Sequence, residues 1–357
     1  MPPVNTSLAA LPEDARFDVV VIGSGGAGLS AALCAAIDGA RVLVVERTSH
    51  LGGTTALSAG TTWVPCTERG LKVQPDDTLA RASQFLDLAV GPRADRRLRQ
   101  AFLDNGPAAV AKLEHHSDVQ YQVRSLHPDY LSELEGSALR GRAIEPIPFD
   151  GRLLGPALSL IRPPIPEFTV LGGMMVDRDD IFHLLRLTQS WASFKYALRI
   201  ITRHARDRLF WPRGTRLVMG NALIGRLLLS LIKRGVHIVT ETELTALVQD
   251  GSAIQGVVLT QTRQGQTVQR QVLATGGVVL ASGGFNRHPA LRAQLLGTDP
   301  GWCPGADGHT GQRSGEASYY GCHCTAPLVM HCHSEHTAGS SFSSQRLVPT
   351  GRRTPSS

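Results

Sequence analysis

The chain has 357 residues, 42% of them hydrophobic, with a formal charge of +6 and a sequence pI of about 9.2. Two ordinary domains, or one large and one partial, fit that length, and the apolar fraction suffices for a sizeable core. The positive charge is spread along the chain and is nearly all arginine, which excludes a nucleic-acid footprint as the first reading.

Residues Met1 to Arg16 lack both the basic start and the apolar centre of a signal peptide, and no apolar run reaches the ~18 residues that cross a bilayer. A cytoplasmic protein without a membrane span is expected. Phe17 to Ile22 then reads as a buried strand, followed by Gly23, Ser24, Gly25, Gly26, Ala27 and Gly28 and a helix starting near Ala27. Gly23 permits a tight turn, Gly25 lets backbone approach a pyrophosphate, and Gly28 lets helix and sheet pack closely. The helix N-terminus offers free N–H groups and partial positive charge to phosphates. A second strand, Arg41 to Val45, ends at Glu46, about 20 residues on, where an acid holds ribose hydroxyls. Strand, helix and acid in register make a bound dinucleotide the expected ligand.

Further along, Gly52, Gly53, Thr54, Thr55, Ser58, Ala59 and Gly60 form a second loop rich in glycine and hydroxyls. A helical stretch is expected from about Pro75 to Lys112, capped by Asp76 or Asp77, and a turn-rich region from Ser117 to Gly155. Another helical block covers Asp179 to Arg208. Its neighbourhood, Arg199 to Arg216, is the densest basic stretch; it reads first as a solvated face and second as a site for phosphate or an acidic partner. Asn221 is expected to cap an amphipathic helix carrying Leu223, Ile224, Leu227, Leu228 and Leu231. Strands are expected at Val236 to Thr240, Leu244 to Gln249, Gln255 to Thr262, Thr267 to Leu273 and Val278 to Ala281, with a hairpin at Asp250 and Gly251. The last strand runs into Ser282, Gly283 and Gly284. The second loop and this third glycine turn, beside the first, favour FAD over NAD.

These residues resemble the FAD-dependent fumarate reductase and 3-ketosteroid Δ1-dehydrogenase superfamily, most closely its steroid dehydrogenase branch. The resemblance is carried by Val21 to Leu33, Gly52 to Pro65, Pro128 to Tyr130, Gly141 to Gly155, Arg213 to Leu223 and Ala281 to Asn286. It implies an α/β fold: a Rossmann-like, glutathione-reductase-type FAD-binding domain with a helical insertion and a β-meander, plus an incomplete substrate domain. The implied boundaries are a tail at 1–15, the FAD-binding domain at 16–290 with its insertion at about 75–215, the start of the substrate domain at 291–317, and an atypical tail at 318–357. By the same resemblance Gly23, Ser24, Gly25, Gly26, Ala27 and Gly28 hold the pyrophosphate. Glu46 takes the adenosine ribose, and Arg47 lies beside the adenine. Gly53, Thr54, Thr55, Ser58, Ala59 and Gly60 pass towards the flavin. Leu244 reads adenine, and Ala281, Ser282 and Gly283 make the second contact.

The implied reaction removes hydrogen next to a ketone: a base takes the α-proton and a hydride leaves the neighbouring carbon for flavin N5. Tyr130 is the implied catalytic residue; a packed tyrosine capping a turn is the alternative. His115 and His116 read as a helix end, Met174 and Met175 as core, and Asp150 with Arg152 as a structural pair. The expected substrate is a small molecule, a ketosteroid or other alicyclic ketone; the electron acceptor stays open.

After about Gly311 the family pattern stops. A frameshift or truncation, a genuine tail without regular structure, and a metal site from Cys322, Cys324, His331, Cys332 and His333 are the readings weighed. Their spacing matches no common zinc finger, so no metal is expected. Such a chain would retain FAD weakly and turn over little steroid. A fumarate-reductase-like enoate reductase and an inactive flavin-binding fragment are the competing functions.

Overall fold

The computed structural model describes residues 7–251, 253–296, 303 and 305–310, together with the backbone of 328–331. β1 (Arg16–Ile22), α1 (Gly26–Ile37) and β2 (Val42–Val45) form the opening βαβ start, with β1 and β2 parallel from Val19↔Val42 to Ile22↔Val45. β-Branched residues favour these buried strands, and the glycines between them let the chain turn into the helix.

The insertion follows the short strand β3 (Thr62–Trp63) and the short helix α2 (Glu68–Val73). It holds α3 (Leu79–Val90), α4 (Arg96–His116), β4 (Tyr121–Val123), β5 (Ala143–Pro146) and β6 (Phe149–Asp150), then β7 (Thr169–Val170), β8 (Met174–Met175), α5 (Arg178–Leu185), α6 (Trp191–Phe210) and β9 (Arg216–Leu217). The expected single helix from Pro75 is two. Thr78 caps the first through its side chain and Asp95 caps the second, while Asp77 is drawn inwards to a buried arginine. Met174 and Met175 are core, and Arg152 pairs with Asp150 at 2.5 Å.

α7 (Met219–Lys233) leads to β10 (His237–Val239), β11 (Thr242–Asp250), β12 (Ala253–Arg263), β13 (Gln266–Leu280), α8 (Pro289–Leu296) and β14 (Leu328–His331). The main sheet runs β10-β2-β1-β13-β12-β11, with β14 paired to β13. Its first four strands are parallel, and β11, β12 and β13 form the antiparallel meander. The strands expected at Thr267 to Leu273 and Val278 to Ala281 are one 15-residue strand, β13. Gly276 and Gly277 do not break it; they sit where its register on β1 shifts, between Phe17 and Val19. Glycine in a strand marks an irregularity as readily as an end. Asn221 is not the cap of α7. Val218 is, and Asn221 is buried inside the first turn, its amide donating to Ala56 O at 2.7 Å.

The main sheet is mixed, and its parallel part is covered on both faces, as parallel strands require. Val21, Val42 and Val44 face α1 and α7, whose Leu223, Ile224, Leu227, Leu228 and Leu231 are buried. Each fully buried leucine or isoleucine contributes roughly 1.5–3 kcal/mol of transfer free energy. Val20, Ile22, Leu43 and Val45 point the other way, onto Leu244, Val257, Leu259 and Val272. Residues 7–15, read from the sequence as tail, close that second core: Leu8 is wholly buried and its N–H donates to Gln261 Oε1 at 2.9 Å. Within the stretch read as an atypical tail, the backbone of Leu328 to His331 pairs with Gly277 to Leu280 as β14. Leu328, Val329 and Met330 are consecutive apolar residues and show no alternation. The rest of the tail reading, with Cys322, Cys324, Cys332 and His333, lies outside the described residues.

Candidate cofactor site

Each glycine of the first loop has its own physical reason. Gly23 has φ +108°, and a Cβ there would lie 2.3 Å from Ala281 O. A Cβ on Gly28 would lie 1.9 Å from Gly23 O, so α1 packs against the turn only without one. Gly25 differs: its φ of −67° suits any residue, and a Cβ would meet nothing within 4 Å. The open side of Gly25 is a cradle for a ligand that needs close backbone approach. Ala27 is exposed beside it, at the start of α1.

The second loop is stitched to the first. Gly52 N donates to Ser24 O at 3.0 Å and Gly26 N to Thr55 Oγ1 at 3.1 Å. Gly53, at φ +48°, approaches Gly25 so closely that its Cβ would lie 3.3 Å from Gly25 Cα. Ser58 Oγ caps the turn by accepting from Gly60 N, and Gly60 lets the first turn of α7 approach, with Gly220 atoms 2.8 Å from its would-be Cβ. Ala59 is exposed next to them.

Glu46, at the end of β2, is nearly buried and accepts four hydrogen bonds. Ser24 N and Oγ donate to Oε2 at 3.1 and 2.5 Å, and Thr48 N and Oγ1 donate to Oε1, both at 2.8 Å. A carboxylate has about four lone-pair sites, so hydroxyls of the chain occupy the places that ribose hydroxyls would take. The Thr48 contribution is absent from the sequence reading. Glu46 O accepts from Thr242 N at 3.0 Å, which brings the start of β11 and the buried Leu244 to the same corner.

Ala281, Ser282 and Gly283 leave β13 directly beside Gly23, Ala281 N donating to Ile22 O at 2.8 Å. Ser282 and Gly283 are exposed. Residues 305–310, assigned from sequence to the start of a second domain, lie against these loops. Ala306 N donates to Thr54 Oγ1 at 3.1 Å, Arg47 Nη2 to Gly308 O at 3.0 Å, and Gly284 N to His309 Nε2 at 3.1 Å. Burial pushes the His309 imidazole below its ordinary pKa, which keeps Nε2 an acceptor.

Arg162 runs along this corner, nearly buried. Its Nη2 donates to Thr48 Oγ1 at 2.9 Å, while Nε has no partner among the described residues. Burial lowers Arg213 to about 10, and burial first, then Arg162 and Arg213, lowers His50. Cations held in a poorly solvated corner favour an anionic ligand. The open cradle at Gly25, the helix N-terminus and this charge fit a dinucleotide pyrophosphate.

Tyr130 stands apart, with a relative exposure of 102%. Its neighbour Asp129 is the anchored residue: it accepts from Trp63 Nε1 at 2.6 Å, Ala138 N at 2.9 Å and Arg142 Nη1 at 3.0 Å. Arg142, 1% exposed, also pairs with Asp77 at 2.6 Å. This buried Asp77–Arg142–Asp129 triad joins the segment just before α3, the residue before β5 and the Tyr130 turn. Its partners are far apart in sequence, and no local signal announces it.

Among known proteins, the family model described as FAD binding domain matches residues 18–356. The chain belongs to this family. FAD is the cofactor of the FAD binding domain, and the mixed main sheet with helices on one face and a meander on the other is its fold. A 3-oxosteroid 1-dehydrogenase of Mycolicibacterium smegmatis is 33% identical over 304 residues, covering 83% of this chain and 52% of the relative. A 4-oxocyclohex-2-ene-1-carboxylate 5-dehydrogenase of Sinomonas cyclohexanicum is 34% identical over 283 residues, 79% of this chain and 47% of the relative. The chain thus spans about half the length of the curated relatives it matches. The crystal structure of 3-ketosteroid Δ1-dehydrogenase from Sterolibacterium denitrificans, in complex with 1,4-androstadiene-3,17-dione, superposes with a TM-score of 0.76 at 28% identity. It covers 85% of this chain and 54% of that one. Among the described residues no helix is long and apolar enough to cross a membrane, and no group of His, Cys, Asp and Glu is arranged to hold a metal.

Proposed function

We propose that this FAD binding domain serves a 3-oxosteroid 1-dehydrogenase-like enzyme, in which hydrogen is removed next to the ketone of a steroid or other alicyclic ketone. The observation that carries the reading is the convergence of three loops, Gly23–Gly28, Gly52–Gly60 and Ala281–Gly283, on a scaffold that superposes on a ketosteroid dehydrogenase. Bound FAD supplies the hydride acceptor, flavin N5.

The chain's own residues then divide the work. Gly23 to Gly28 and Gly53 to Thr55 cradle the pyrophosphate, the N–H groups of Gly23, Ser24 and Gly26 being already held by Val45 O, Glu46 and Thr55. Glu46 accepts the ribose hydroxyls once Ser24 Oγ and Thr48 Oγ1 turn away, with Arg47 and the backbone of Leu244 at the adenine end. Ser58, Ala59 and Gly60 carry the loop on towards the flavin, and Ala281, Ser282 and Gly283 close the opposite side. Tyr130 is the candidate catalytic residue in a supporting role, carried on a turn that Asp129 anchors, and a rigid support is what a catalytic group needs. Cytoplasmic residence belongs to the same proposal.

The test is in two steps. Purified chain is reconstituted with FAD and the bound flavin measured by absorbance near 450 nm. It is then assayed with a 3-oxosteroid, a cyclohexanone carboxylate and fumarate, each with an artificial electron acceptor. Flavin uptake with turnover of a cyclic ketone supports the proposal. Preference for fumarate overturns the substrate reading, and flavin uptake without turnover of any substrate supports a flavin-binding unit alone. Failure to take up FAD overturns the site.

A further inference from the structure

The basic stretch between residues 178 and 210 is not absorbed by the cofactor site. It forms an antiparallel pair, α5 and α6, fastened from inside. Asp180, wholly buried, accepts from Tyr196 Oη and Arg216 Nη1, both at 2.8 Å, and His183 stacks on Tyr196 with centroids 4.2 Å apart. The buried side of α6 is Ser193, Ala197, Ile200, His204 and Asp207. Its opposite side is not polar. Trp191, Phe194, Leu198 and Leu209 recur there at helical spacing and are 68, 37, 48 and 78% exposed. α5 adds Phe182 and Leu185, 48 and 76% exposed. A surface helix of a water-soluble core turns charged residues outward, and apolar side chains exposed together in this way mark an interaction site.

The charges around this face choose the partner. Arg178, Arg186, Lys195, Arg199, Arg206 and Arg208 are exposed, against one exposed carboxylate, Asp179, which Arg124 already neutralises at 2.8 Å. On α6, Lys195, Arg199 and Arg206 line one flank of the apolar stripe at helical spacing, and Lys195 Nζ lies 5.3 Å over the Trp191 ring. Aromatic and leucine side chains on one side with a basic flank are the composition of a helix lying in a membrane interface. A nucleic acid would satisfy the cations and leave the leucines in water. A second copy of this chain would set six cations against six.

We propose that the α5–α6 hairpin is a peripheral membrane-binding surface that docks on anionic lipid, inserting Trp191, Phe194 and Leu198 among the acyl chains while Lys195, Arg199 and Arg206 meet the headgroups. The binding does not require the cofactor site, so it stands apart from the dehydrogenase reading.

The experiment is co-sedimentation of the full chain with vesicles of phosphatidylcholine alone and of phosphatidylcholine with 30% phosphatidylglycerol. Binding to the anionic vesicles, much weaker on neutral ones and reduced by salt, is expected. A Lys195→Glu, Arg199→Glu, Arg206→Glu variant should lose at least about tenfold in partitioning, since each basic residue near an anionic surface gives roughly fivefold. Trp191→Ser with Leu198→Ser should weaken the salt-resistant part. These side chains are exposed, and circular dichroism confirms that each variant melts as the parent does. Equal binding by parent and charge variant, or no binding to anionic vesicles at low salt, overturns the proposal. So does a dimer by light scattering that Leu198→Ser dissolves, or DNA outcompeting the vesicles at equal phosphate.

Discussion

Gly25 and Gly28 lie three residues apart and fail in opposite ways when each is made alanine. At Gly25 the backbone is at φ −67° and ψ 178°, and nothing stands within 4 Å of the new methyl group. The folded chain accepts Gly25→Ala, and the unfolded chain loses freedom, so stability rises by about 0.4–1 kcal/mol. The same methyl fills the cradle and holds a phosphate away from the loop. Losing one hydrogen bond to a charged group costs about 1.5–3 kcal/mol, or roughly 10- to 150-fold in the FAD dissociation constant. At Gly28 the methyl meets Gly23 O at 1.9 Å and Ala281 Cβ at 3.3 Å. α1 must retreat from the sheet, and overpacking of this kind costs about 1–3 kcal/mol before any ligand is added. Urea unfolding of the cofactor-free proteins measures the first effect and quenching of flavin fluorescence the second. A Gly25→Ala protein that unfolds earlier than the parent, or binds FAD with the parent's affinity, refutes the reasoning.

Other consequences are as direct. Arg142→Met leaves Asp77 and Asp129 buried and unpaired, and should cost about 3–5 kcal/mol, read from the urea midpoint; a loss below 1 kcal/mol would show the triad to be solvated. Glu46→Gln points an amide NH₂ at donors from Ser24 or Thr48, and should cost about 1–3 kcal/mol as well as weakening FAD retention in titration. Burial, first among the causes, holds His50, His204 and His309 below the ordinary imidazole value of about 6.5. The unfolded chain therefore takes up these protons first, and stability falls as pH drops from 7 through 6.5 towards the depressed values. A urea midpoint higher at pH 5.5 than at 7.5 would contradict this. Tyr130→Phe, at a fully exposed ring, should leave stability within about 0.5 kcal/mol, so any fall in turnover of the reconstituted enzyme reports on chemistry.

What could be read from the residues was whatever repeats locally. The run from Phe17 to Gly28 announced strand, turn and helix because three glycines do three separate jobs within six positions. The α7 helix was legible from its leucines, but its start was not. Asn221 looks like a cap in isolation and is instead drawn inside by Ala56 and Arg162, residues of other segments. The paired glycines 276 and 277 read as a break, yet β1 pairs with β13 before and after them, and β14 lies on the other edge from Gly277 on. The Thr48 half of the Glu46 network is local, two residues on, and was simply not read, whereas the Asp77–Arg142 half of the buried triad spans 65 residues, which no short window of sequence contains. Residues 305–310 reached the nucleotide loops for the same reason.

β1 has one further consequence, for how the chain is made. On one side it pairs with β2, which follows within 26 residues of its start, from Arg16 to Val42; on the other it waits for β13, whose paired residues begin at Leu273. At about 5–20 residues per second, the edge formed by Val19 to Ile22 leaves the ribosome and stays unpaired for roughly 10–50 s. The N-terminal half is thus born with an open, valine-rich strand, a template for pairing with another chain. Shortened versions that stop before β13 should aggregate rather than fold, and yield in the cell should depend on holding factors during that interval more than on the stability of the finished sheet.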